Sequence, residues 1–98
     1  MPQRLDLDLS KETAHPYFLW DEPITVAEFR ALLKSTDPAV RAWSLQRLLR
    51  EARFDDVWKF ITPQEVANAW DQIRNGMGRR RSFWEFILKK WHEHGLIR

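Results

Sequence analysis

The chain has 98 residues and a net charge of +2, with no cysteine, six tryptophans, six phenylalanines and one tyrosine. That length holds one domain with a single small core. The lack of cysteine excludes disulfides and thiolate metal sites, no apolar run approaches the ~20 residues of a membrane span, and no signal-peptide pattern opens the sequence, so a soluble cytoplasmic protein is expected.

Residues 1–23 carry no helical period and hold three of the five prolines, together with the alternating run Leu5-Asp6-Leu7-Asp8-Leu9. They read as an extended amino-terminal arm preceding a helical domain over 24–98. Thr25 with Glu28 has capping-box spacing, and Val26, Phe29, Leu32 and Leu33 fall on one face of a helix over 26–35. Asp37-Pro38 supplies an N-cap and a proline at the first helical position for a second helix reaching about Ala52, with Leu45, Leu48, Leu49 and Ala52 as its core stripe. Asp55 or Asp56 is the expected cap of a short third helix through Val57, Trp58, Phe60 and Ile61. Thr62-Pro63-Gln64-Glu65 repeats the proline and capping-box signals for a fourth, lined by Val66, Ala69, Trp70 and Ile73. Ser82 with Glu85 gives a third capping box, and Gly95-Leu96 a Schellman-type end, for a fifth. The expected fold is all-α: about five short helices in a compact orthogonal array with an extended arm.

Charge is unevenly divided. Residues 1–37 hold four basic and seven acidic groups, net −3, and residues 38–98 hold twelve and seven, net +5. Such a split fits two surfaces for different partners, or acidic amino-terminal side chains lying against a basic body. At ~100° per residue, Trp43 falls opposite Leu45, Leu48 and Ala52, beside Arg47 and Arg50. An indole among guanidinium groups matches either a covered face or an interface hot spot, with a Trp43–Arg47 cation–π pair in both cases. Arg79-Arg80-Arg81 ahead of Ser82 concentrates positive charge where exposed helix N–H groups favour phosphate. The closing run from Ile87 to Arg98 resembles the end of a recognition helix in winged-helix repressors.

No catalytic site assembles. His92 and His94 are two residues apart and diverge by roughly 200° on a helix. Ser10, Ser35, Ser44 and Ser82 have no nearby base in sequence, and Gly76-Met77-Gly78 is too short for a phosphate loop. A non-enzymatic chain without cofactor or metal is expected.

Pro16-Tyr17-Phe18-Leu19-Trp20-Asp21, then the run from Phe54 to Pro63, then Arg79-Arg80-Arg81-Ser82-Phe83-Trp84 resemble small uncharacterised bacterial proteins encoded beside nucleotidyltransferase toxins of the abortive-infection type. The likeness covers about residues 15–97. It implies an antitoxin-like or accessory subunit that binds the toxin and also, by analogy with other antitoxins, the DNA of its operon. The segment from Asp37 to Leu49 also resembles one unit of a HEAT-type helical repeat, without a second copy. The expected partner surface is Tyr17, Phe18, Trp20, Trp43, Arg47 and Arg50. The alternative is a small DNA-binding regulator using Arg79, Arg80, Arg81 and Lys89, and the surplus of aromatic side chains would equally suit a homodimer.

Overall fold

A computed structural model describes residues 5–98, so the first four residues of the expected arm lie outside it. Five helices follow in order: α1 (Val26–Leu33), α2 (Pro38–Glu51), α3 (Phe54–Val57), α4 (Pro63–Ile73) and α5 (Arg81–Glu93). Single 3₁₀ turns form at Tyr17–Leu19, Arg74–Gly76 and Gly78–Arg80. No strand forms among the described residues, and Asp6 and Pro16 make one isolated bridge. The fold is all-α, as the sequence pattern predicts.

Local chemistry accounts for most boundaries. The Thr25 hydroxyl accepts from the Glu28 amide while Glu28 accepts from the Thr25 amide, and Thr62 and Glu65 repeat the arrangement. Each box satisfies two N–H groups that a helix start leaves without partners. Asp37 caps α2 by accepting from the Ala39 amide, with Pro38 at the first helical position. At the end of α5 the Leu96 amide donates to Trp91 and the Gly95 amide to His92, with Gly95 at φ +74°. This is the Schellman pattern, and its left-handed position suits glycine.

Two expected caps are corrected. α3 begins after Arg53 with no side-chain cap; Asp55 and Asp56 occupy its first turn, where Asp56 accepts from Tyr17 and Lys59. α5 begins at Arg81 rather than after Ser82. The Gly78–Arg80 turn runs straight into it with Arg80 already in the right-handed helical region, so Ser82 lies inside the first turn, and Glu85 pairs with Arg81.

α2 is the hub. It packs against α1, α3, α4 and the turns at Tyr17–Leu19 and Gly78–Arg80. Leu48, Leu49 and Ala52 are buried among Val26, Phe29, Val57, Val66, Ile73, Met77 and Trp84. The last turn of α2 is satisfied in an unusual way. A continuing helix would join the Leu49 carbonyl to the Arg53 amide; instead the Trp84 indole N–H donates to that carbonyl at 3.0 Å, and the Arg53 amide donates to the Tyr17 hydroxyl at 2.7 Å. Side chains from the two ends of the chain thus cap the two halves of one missing helical bond.

The described part of the arm is docked on the helical domain. Leu9, Ala14, Phe18 and Leu19 are core residues. The Ala14 and Glu12 carbonyls accept from the Val26 and Ala27 amides, so the arm caps the first turn of α1. His15 Nε2 lies 2.7 Å from the carbonyls of both Leu19 and Glu22 and holds the bend after the Tyr17–Leu19 turn. Phe18, Phe29 and Phe60 pack edge to face with centroids 5.2–5.7 Å apart, the geometry that ring quadrupoles favour.

Candidate partner-binding surface

The six residues expected to meet a partner do not form one open surface. Phe18 is a core side chain. Arg47 is also buried: its two terminal nitrogens donate to both carboxylate oxygens of Asp21 at 2.6 and 3.1 Å, and its guanidinium lies 4.9 Å from the Trp20 ring and 5.4 Å from the Trp43 ring. The expected Trp43–Arg47 cation–π pair is present, but it serves to clamp residues 20–21 onto α2. The same bond explains two titrations: donation from Arg47 holds the Asp21 carboxyl below the usual carboxylate range, and donation to Asp21 raises Arg47 further. Through this pair one acidic group of the amino-terminal segment lies against the basic body. Phe18 thus serves the core, and the Arg47 guanidinium, only about one-tenth exposed, is committed to Asp21 within the fold.

Tyr17 is half-buried and engaged internally, its hydroxyl donating to Asp56 at 2.6 Å. Burial, then that bond, push its phenol up to about 12. Burial opposes ionisation of Asp56, but hydrogen bonds from Lys59 and Tyr17 outweigh it and leave the carboxyl below its usual range. Trp43 is half-buried against the core, and Arg50 donates to the Gly76 carbonyl at 3.1 Å. Of the six, Trp20 alone is a large exposed ring, at 53%.

The open aromatic surface lies elsewhere, between α3 and α5. Phe54 touches Trp58, Phe83 and Trp84 with centroids 5.3–5.9 Å apart, and Trp58 continues to Trp91 at 5.4 Å. Trp84 closes this cluster toward the core, whereas Phe54, Trp58, Pro63, Trp91 and Leu96 line a concavity of about 330 Å³ open to solvent. Leu96 is 68% exposed and Phe86 58%. The sequence marks Ser82 to Leu88 as an aromatic helix behind the arginine cluster, but does not show that Phe54, Trp58 and Pro63 lie beside it. The detectable signal was the width of its apolar arc: Phe83, Trp84, Phe86, Ile87, Leu88 and Trp91 cover more of the circumference than one core contact uses.

The arginine cluster is split as well. Arg81 pairs with Glu85 at 3.6 Å, whereas Arg79, Arg80 and Lys89 are exposed and have no ion-pair partner among the described residues. Arg79 and Arg80 join Arg50, Glu51, Met77 and Gly78 around a second concavity of about 450 Å³.

Ser44 donates to the Val40 carbonyl, Ser35 accepts from the Asp37 amide, and His92 and His94 lie exposed on and just after the last turn of α5. No helix among the described residues is long and apolar enough to cross a membrane. Comparison with protein-family models, with curated proteins and with solved structures gave no match.

Proposed function

We propose that this chain is a non-enzymatic interaction subunit, antitoxin-like in role, which docks a protein partner on the α3–α5 aromatic surface. The carrying observation is the solvent-open concavity of Phe54, Trp58, Pro63, Trp91 and Leu96. Tryptophan-rich pockets of this kind are where interface energy concentrates, and contiguous exposed apolar area on a small domain marks interaction. The rings are already packed against one another, so little side-chain entropy is lost on docking. The kind of partner, a nucleotidyltransferase toxin, is what the sequence resemblance implies, and the engagement of Arg47 and Asp21 with each other favours the aromatic face over the expected arm surface.

The test is co-expression with the nucleotidyltransferase that the resemblance implies, followed by co-purification and size-exclusion chromatography. A complex with the parent chain, lost on Leu96→Glu with helix content unchanged, is the expected result. Leu96 lines the concavity and is more than half exposed, so the substitution leaves the core intact. A complex that survives it would remove this face from the interface.

A further inference from the structure

A second surface, on the other side of Phe83, has a different chemistry. Arg50, Arg79 and Arg80, against the single carboxylate of Glu51, line the concavity of about 450 Å³ between the end of α2 and the turn that leads into α5, which keeps a surplus of positive charge. Arg50 reaches it from α2 and is anchored by its bond to Gly76; its Nε is buried without a hydrogen-bond partner. The Arg80 guanidinium also lies 6.0 Å from the centroid of Phe83, whose ring is 38% exposed. One side chain therefore borders both the cationic hollow and an aromatic ring. Further along α5, Lys90 lies 5.6 Å from the exposed ring of Phe86 and 3.7 Å from the Glu93 carboxylate, and Lys89 is exposed.

We infer that this surface binds single-stranded nucleic acid, with Arg50, Arg79 and Arg80 receiving a backbone phosphate and Phe83 stacking on the adjoining base. Alternating cations and exposed rings are what an unpaired strand requires, since each nucleotide presents one anionic group and one π-face. A duplex fits less well. It offers base edges and no open base faces. A second copy also fits poorly, because a two-fold contact through this face would set the unpaired Arg79, Arg80 and Lys89 against their own equivalents. The residues differ from those of the protein-docking concavity, so this inference stands or falls separately from the proposed function.

The experiment is fluorescence anisotropy of the full chain with labelled oligothymidylate and oligouridylate, alongside a duplex of equal length and polyglutamate as competitor. Saturable binding of single strands, tighter than the duplex at equal salt, is expected; the two oligonucleotides separate DNA from RNA as the source of the strand. In Arg79→Ala/Arg80→Ala the slope of log affinity against log salt should shrink by about 0.7, the increment for one lost phosphate contact. Phe83→Leu should weaken binding at least about fivefold with the slope unchanged. Absence of single-strand binding at low salt, equal affinity for the duplex, full displacement by polyglutamate, or a neutral Phe83→Leu would each overturn the inference. Should Phe83→Leu fail to fold, the double arginine variant carries the test, because both side chains are exposed.

Discussion

Replacing Tyr17 by phenylalanine removes one oxygen atom and two hydrogen bonds, leaving the ring free to keep its edge contact with Phe18 at 5.4 Å. The bond to Asp56 is short, at 2.6 Å, and its acceptor is a buried carboxylate, so it belongs to the charge-assisted class worth about 1.5–3 kcal/mol. The bond from the Arg53 amide adds less, because Arg53 is exposed and water can replace the hydroxyl. Asp56 retains Lys59 at 2.8 Å, which limits the penalty of the lost donor. Together these set the expected cost of Tyr17→Phe at about 2–3 kcal/mol, or a fall in Tm of about 8–24 °C for a domain of this size. Urea unfolding followed by tryptophan fluorescence measures it, and a double-mutant cycle with Asp56→Asn should return a coupling of at least about 1 kcal/mol. A loss below about 0.5 kcal/mol, or additive single effects, would refute the reasoning. The pH dependence gives an independent check. A phenol whose folded pKa lies near 12, against about 10 unfolded, contributes stability that is complete below pH 10 and is lost as pH rises through 12. Because the chain has a single tyrosine, the near-ultraviolet absorbance of tyrosinate reports this titration directly.

Trp84→Phe strips the Leu49 carbonyl of its donor and leaves part of the indole volume empty in a buried site; a destabilisation of about 2–4 kcal/mol is expected by calorimetry or urea unfolding. Gly95→Ala forces a side chain into the left-handed region without a steric clash nearby, so the cost should be purely conformational, about 1–2 kcal/mol, read as a lower Tm with the fold intact. Toward acid, the depressed carboxyls of Asp21 and Asp56 contribute stability that is present above about pH 4 and is lost as pH falls through their folded values. Asp21→Asn should flatten that part of the stability curve and raise limited proteolysis between Leu5 and Trp20, where the clamp on Arg47 is removed.

What the sequence disclosed was chiefly what neighbours decide. The boxes Thr25–Glu28 and Thr62–Glu65, the Asp37-Pro38 start and the Gly95 end are contained within three to five residues, so their chemistry is visible in a linear reading. Ser82–Glu85 has the same spacing and failed, because the preceding turn had already placed Arg80 in helical geometry. Trp43 and Arg47, one turn apart, were rightly paired, yet the partner that decides their role, Asp21, lies 26 residues away from Arg47. Proline content and the absence of a helical period marked residues 5–23 as irregular, but irregular backbone can still bury Leu9, Phe18 and Leu19, and nothing local announces it. The aromatic surface was hidden for a related reason: an apolar arc on one helix shows how much surface wants covering, while only the tertiary arrangement shows which part the rest of the chain leaves open.

The divided bond at the end of α2 has a bearing on how the chain comes apart. Tyr17 and Trp84 reach this turn from opposite termini, across 36 and 35 residues. Peeling away either the amino-terminal segment or α5 returns one member of the Leu49–Arg53 pair to water and loosens the hub against which the other terminal segment rests. Partial opening from one end is thereby penalised at the other. The two ends behave as a single clasp, which favours all-or-none unfolding and leaves few half-open forms for a protease to capture.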